Sequence, residues 1–326
     1  MDFIHGVSLS DLLRAPSALC PTRVMREDMS DRDIEIIYRQ LANFLLQLFE
    51  LDFDHIGSLP SPQDDDQKSP TLLRPLTFKA HSILQNGGVN TFGDRTQGFA
   101  TTTEYFQYVA NQDLGQLIHQ PNSTVGLYDA KNKYVAFKVL RALIPDLVNA
   151  KYDRYKFKLI CDDLGLANLI VRGRDDLAVV GVVDLEWSYI GPAQLLGSAP
   201  CLDIFIDVLE EEEAKMPGHE KRELSSLVRW SRASGAMWLH MLLSSGFNGH
   251  RSFPFTQLRR HLGPAEWARR ESEFDNAEEL EALATRKVRD LDQYDEAVEA
   301  LEERKALVDD GRMTRHEFLR HGFSLV

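Results

Sequence analysis

The strongest constraint on this chain is a change of hydrophobic period near its middle, from helical spacing to strand spacing and back. Ile34, Ile37, Leu41, Phe44, Leu45 and Leu48 fall on one stripe of a helix, with Ser30 placed to cap it and Asp33 at the third helical position. Thr101-Thr102-Thr103-Glu104 introduces a second helix, whose apolar side carries Tyr105, Tyr108 and Val109. A third runs through Tyr134, Val135, Phe137, Val139, Leu140 and Leu143 up to Pro145. Then Phe157, Leu159 and Cys161 alternate, and Asn168-Leu169-Ile170-Val171 is followed by the turn Arg172 to Asp176 and the apolar run Leu177 to Val183. This spacing predicts two short strands joined by a tight turn. A stripe of period 3.6 and a face of period 2 bury different surfaces, so the fold expected is mainly α, of α+β type, with a small β-ribbon set among helices.

The flanks follow the same logic. Phe3-Ile4 reads as the end of a strand, His5-Gly6 as a turn, and Ser8-Leu9-Ser10-Asp11-Leu12-Leu13 as a short capped helix. Residues 60–75 hold several prolines and the run Asp64-Asp65-Asp66, which marks an exposed loop. Beyond Leu202 the pattern is helical throughout. The tail, with Leu280, Leu283, Val288, Leu291, Tyr294, Val298, Leu301 and Leu307, fits an amphipathic helix or a helical hairpin, its spacing too irregular for a coiled coil.

Charge and cysteine usage exclude several classes. A net charge of -13 argues against binding to DNA or RNA, which rests on neutralising phosphates with Lys and Arg. Cys20, Cys161 and Cys201 lie far apart, with no CxxC pair or Cys/His grouping, so neither a disulfide framework nor a zinc site is expected. The first residues lack the basic start and apolar run of a signal peptide, and Leu177 to Val183 is too short to span a bilayer. A cytoplasmic protein with no membrane partner is the expectation.

Three residues carry the chemistry. Asp163 and Asn168 enclose Leu164-Gly165-Leu166-Ala167, and Asp184 closes the apolar strand in Val182-Val183-Asp184-Leu185-Glu186-Trp187. Kinases space the Asp and Asn of their catalytic loop in this way, and place a metal-binding Asp at the end of the strand that follows. Phosphoryl transfer needs a carboxylate to orient the acceptor hydroxyl and take its proton. It also needs hard oxygen donors, carboxylate and amide, for Mg²⁺. Each piece alone is weak, because an Asp ending a strand is usually a cap. The combined order of loop Asp, Asn, strand, turn, apolar strand and Asp is specific.

Phe157-Lys158-Leu159-Ile160-Cys161-Asp162-Asp163-Leu164 through Asn168-Leu169-Ile170-Val171, then Val180-Gly181-Val182-Val183-Asp184-Leu185-Glu186-Trp187, resembles the aminoglycoside phosphotransferase family. It looks most like the fungal branch, where Cys-Asp-Asp often stands in place of His-Gly-Asp. Phe3-Ile4-His5-Gly6-Val7-Ser8-Leu9 is similar to the hinge that follows the family's N-lobe. The resemblance covers most of residues 1 to about 245. It implies the C-terminal lobe of a protein-kinase-like fold, with residues 1–13 a hinge remnant, 14–245 the lobe and 246–326 a helical extension. It further implies Asp163 as catalytic base, Asn168 and Asp184 as magnesium ligands, and Phe3 and Ile4 beside the adenine of ATP. The implied reaction is ATP-dependent phosphorylation of a hydroxyl on a small-molecule acceptor that the family name does not fix. Two departures stand out: Gly165-Leu166-Ala167 lacks the usual loop proline, and the stretch Gln194 to Leu202 is short.

The glycine-rich loop and strand-borne lysine that hold ATP phosphates would lie upstream of this hinge, and no GxGxxG or Walker A motif occurs. Val135-Ala136-Phe137-Lys138 matches the lysine motif, but sits in a helical pattern downstream, which makes Lys138 a surface residue of a core helix. The chain as written is therefore expected to have little or no kinase activity. Its uncovered hinge edge, with Phe3, Ile4 and the floor behind Val171 and Val183, is expected to be apolar and prone to self-association. The alternatives are a non-catalytic, pseudokinase-like interaction protein and an incomplete product of a gene whose full form is the enzyme.

Overall fold

The computed structural model describes residues 3–15, 26, 28–59, 74–94, 96–154, 156–198, 203–244 and 249–322. Helices dominate: α1 Leu9–Leu13, α2 Asp31–Glu50, α3 Phe78–Gly87, α4 Thr102–His119, α5 Leu127–Leu147, α6 Ala193–Leu196 and α7 Asp203–Lys215. They continue as α8 Glu223–Ser234, α9 Ala236–Leu243, α10 Phe253–Leu262, α11 Pro264–Ser272, α12 Ala277–Asp309 and α13 Arg315–Gly322. The strands are β1 Val7–Ser8, β2 Lys158–Cys161, β3 Leu169–Val171, β4 Val179–Val182 and β5 Ser188–Gly191.

The caps read from the sequence are in place. Ser30 Oγ accepts the Asp33 N–H at 3.1 Å and donates to the Asp33 carboxylate at 2.7 Å. Thr101 Oγ1 accepts the Glu104 N–H at 3.0 Å, while the Glu104 carboxylate turns back to the Ala100 N–H. These bonds satisfy amide donors that have no partner inside the helix. Pro145 does not end its helix, contrary to the sequence reading, because α5 continues to Leu147. A proline there strips the Arg141 carbonyl of its intrahelical donor, and the Gln107 side chain supplies a substitute at 3.0 Å. Lys138 lies on α5, with its Nζ over the Tyr134 ring.

One large core joins α2, α4, α5 and α7 to α10, with Phe106, Phe137, Phe205, Leu239 and Phe255 fully or almost fully buried. Trp267 of α11 and Leu280 and Leu283 of α12 belong to the same core, so the first half of the long helix packs on the body of the protein. A smaller cluster of Leu9, Leu13, Ile37, Leu169 and Val171 lies under a three-stranded sheet of order β1-β3-β4. The second sheet pairs β2 with β5, antiparallel, from Lys158 opposite Gly191 to Cys161 opposite Ser188. The open edge of β4 is bracketed by α2, where the Gln40 amide accepts the Val179 N–H at 2.7 Å and donates to the Leu177 carbonyl at 3.0 Å. Among the described residues, no helix is long and apolar enough to cross a membrane.

Candidate active site

The two sheets share their connections. One segment, 162–168, leaves β2 and enters β3, and the other, 183–187, leaves β4 and enters β5. Both are pinned at both ends by backbone bonds. Val183 N–H donates to the Asn168 carbonyl at 3.0 Å, and Asp162 N–H donates to the Trp187 carbonyl at 3.4 Å. The antiparallel registers Leu169 with Val182 and Cys161 with Ser188 fix these ends. Asp163 and Asp184 therefore sit on neighbouring connections, both exposed. Inside the first, Gly165 N–H donates to the Asp163 carbonyl at 2.8 Å, and the buried Asn168 side chain donates its Nδ2 to the same carbonyl at 2.7 Å. Asn168 is thus a brace of the loop, with its Oδ1 remaining as an electron-pair donor. Asp184 takes a left-handed backbone conformation, φ 57°, which Asp tolerates better than most residues and which turns the chain sharply after β4.

Among the described residues, neither Asp163 nor Asp184 takes part in an ion pair, and no three His, Cys, Asp or Glu side chains group closely enough to hold a metal. Any cation at these connections would thus rely on a small protein donor set, the Asn168 amide oxygen and the Asp184 carboxylate, completed by water or substrate oxygens. That is the habit of Mg²⁺.

Asp162 faces the other way. It is half-buried, and its Oδ2 accepts the Phe78 N–H at the start of α3 at 3.1 Å. Burial pushes its carboxyl up to about 6; the Phe78 N–H and Lys79 oppose the rise, and the neighbouring Asp163 adds to it. Tyr105 and Tyr189, buried and bonded hydroxyl to hydroxyl at 2.7 Å, lie beside it, and burial raises both well above the ordinary phenol value. A cavity of about 270 Å³ lies behind the loop, lined by Cys161, Asp162, Leu164, Ser198, His240 and Ser244 among apolar residues of α2 and α6. Burial pushes the His240 imidazole down to about 3, so it stays neutral, with Nδ1 bonded to Ser198 and Nε2 without a partner among the described residues. Beside it, a chamber of about 20 Å³ touching Lys79, Tyr105 and Asp162 has room for one water.

Of the two residues expected beside the adenine, only Ile4 packs on β4. Phe3 is 81% exposed and meets the His5 ring edge-on, whereas Ile4 is half-buried and covers Gly181 so closely that a Cβ there would come within 2.6 Å of it. Val171, expected on the uncovered floor, is fully buried because α1 and β1 close over it. Val183, the other residue expected on that floor, is half-buried, while Phe3, Val7 and Val180 are exposed. Ser8 Oγ donates to the Ala167 carbonyl at 3.1 Å and ties this segment to the 162–168 connection. The Asp64-Asp65-Asp66 run, Cys20 and Cys201 fall outside the described residues. Sequence reasoning did not single out Asp162, Phe78 or His81; the one available signal was the doubled Asp beside the loop. No protein-family model, curated protein or solved structure matches this chain.

Proposed function

We propose that this chain carries the catalytic and metal-holding loops of a kinase-like small-molecule phosphotransferase, in the C-terminal-lobe arrangement of a protein-kinase-like fold. The observation that supports it best is the pair of neighbouring connections stapled at both ends by backbone bonds, one carrying Asp163 and Asn168 and the other Asp184. In this reading Asp163 orients the acceptor hydroxyl. It takes the hydroxyl proton on a carboxylate oxygen as the acceptor oxygen bonds to phosphorus and the nucleotide oxygen leaves. Its exposure leaves it open to an acceptor, and among the described residues no cation competes for it. Asn168 and Asp184 would hold Mg²⁺, which neutralises phosphate charge when ATP is bound. Phe3 and Ile4 would border the nucleotide. The acceptor is a small molecule bearing a hydroxyl.

Metal binding tests the reading directly. Mn²⁺ or Mg²⁺ should raise the thermal midpoint, because a ligand bound only by the native state adds about 2.7 kcal/mol at a hundredfold excess over its Kd. Asp184→Asn should abolish the rise. An equal rise in wild type and Asp184→Asn would place the metal elsewhere and defeat the proposal.

A further inference from the structure

The first turn of α3 touches both connections. Its Phe78 N–H is the donor to Asp162 in segment 162–168, at 3.1 Å. Its Phe78 ring meets Trp187 of segment 183–187 edge-on, with centroids 5.4 Å apart, and the His81 ring lies 4.9 Å from the same indole. The helix is held from behind, because the buried Lys79 Nζ donates to Asp113 of α4 at 2.6 Å and to the Leu242 carbonyl of α9 at 3.1 Å. Thr77 caps it by accepting the Ala80 N–H at 3.2 Å. A helix with a capped start and a buried, doubly bonded lysine is a fixed post rather than a mobile flap.

We propose that Asp162 is a positioning residue: its carboxylate anchors the 162–168 connection to the first turn of α3, which through Phe78, His81 and Trp187 also holds the 183–187 connection. The post holds the β2–β5 end of both connections, adding side-chain contacts to the backbone bond from Asp162 to Trp187, and through that end it bears on the spacing of Asp163 and Asp184. A carboxylate suits the place, since the first N–H groups of a helix carry the positive end of its dipole. With Asp162 turned in toward α3, Asp163 is left facing outward, as their burial and exposure record. Burying the charge of Asp162 works against folding, so stability alone gives no reason for a carboxylate here. The inference rests on the phosphotransferase reading only for what the positioned residues do.

The test uses the full chain with Asp162→Ala and Asp162→Asn, read by amide hydrogen exchange and by Mn²⁺ affinity from electron paramagnetic resonance. Asp162→Ala should speed exchange at Phe78 and across 183–187 at least tenfold, leave α8 unchanged, and weaken Mn²⁺ binding at least fivefold. Asp162→Asn keeps an acceptor for the Phe78 N–H and should restore both readouts to near wild type, a rescue that loss of bulk packing would not show. Unchanged exchange at 183–187 in Asp162→Ala, or an Asn variant as disturbed as the Ala variant, would overturn the anchor. If Asp162→Ala does not fold, Phe78→Pro and Phe78→Ala replace it. Phe78 is the first helical residue, where proline is tolerated, and Thr77 before it is extended at ψ 151°, so the two variants differ chiefly in the N–H itself. Faster exchange at 162–168 in the proline variant alone supports the anchor; equal exchange in both overturns it. Should wild type bind no Mn²⁺ while the exchange pattern appears as expected, the metal reading fails and the anchor stands.

Discussion

Replacing Asp162 by Asn should remove a pH dependence of stability. The carboxyl has an ordinary value of 3.8 and is pushed to about 6 in the native state, first by burial. That difference corresponds to about 3 kcal/mol of preference for the protonated form on folding. Because the folded value lies above the unfolded one, the native state holds more protons between roughly pH 4 and pH 6. The stability linked to this proton is fully present well below about pH 4 and is lost as pH rises through about 6. The side-chain amide of the Asp162→Asn variant has no such proton to lose. The measurable quantity is the change in unfolding free energy from pH 4 to pH 7.5, compared between wild type and Asp162→Asn so that all other titrating groups cancel. Wild type should lose about 2.4 kcal/mol more than the variant over that range, the rest of the roughly 3 kcal/mol being lost below pH 4 where the unfolded carboxyl titrates. With about 2 cal/mol/K of unfolding entropy per residue, the thermal midpoint of a chain of 326 residues should diverge by about 4 °C at the upper pH. Denaturant titrations followed by tryptophan fluorescence at low protein concentration would give both curves. Parallel pH profiles for the two proteins would refute the claim that burial raises the Asp162 carboxyl at the start of the 162–168 connection.

Other outcomes follow from buried partners. Lys79 and Asp113 are both almost fully buried, so Lys79→Ala, which strands the carboxylate, should cost about 3 to 5 kcal/mol by urea titration. The double variant Lys79→Met with Asp113→Leu should recover most of that loss. Phe205→Ala, at a fully buried position of the main core, should cost about 3 to 5 kcal/mol by the same measurement. Gln107→Ala should cost less than about 1 kcal/mol, since water can replace its bond to the exposed Arg141 carbonyl, and circular dichroism should show α5 intact.

Much of the helical frame was legible because its signals are local. Ser30 with Asp33, and Thr101 with Glu104, announce helix starts through side chains a turn apart, and the stripes of α2 and α5 need only a count of spacings. The hairpin from Leu169 to Val182 was legible for the same reason. β5 was not, because in Ser188-Tyr189-Ile190-Gly191 the tyrosine and isoleucine are both buried and the alternation of a half-buried strand is absent. Its strand character comes from partners distant in sequence, Ile160 on one side and Gly57 on the other. Pro145 misled for an equivalent reason, since the group that rescues the helix is on α4. In the candidate site, Asp163, Asn168 and Asp184 were suggested by their order along the chain together with the family resemblance. The inward hydrogen bond of Asp162 could not be read from the sequence, because its donor belongs to a helix far away along the chain, and the doubled Asp does not say which of the two turns in.

The division of labour between the two kinds of structure explains why a mainly helical protein keeps these short strands. A helix places its side chains on a cylinder whose position depends on packing, and packing adjusts by tenths of an ångström when a core residue changes. Backbone pairing across β2–β5 and β3–β4 depends on register instead, and a register shift would reverse the facing of every side chain. The ends of both connections are thus fixed discretely, by bonds such as Val183 to Asn168, and at the β2–β5 end Asp162 and Trp187 add side-chain contacts with α3. A substitution deep in the helical core should therefore lower global stability before it changes the relation of Asp163 to Asp184. A substitution at Asp162 or Trp187 should do the reverse.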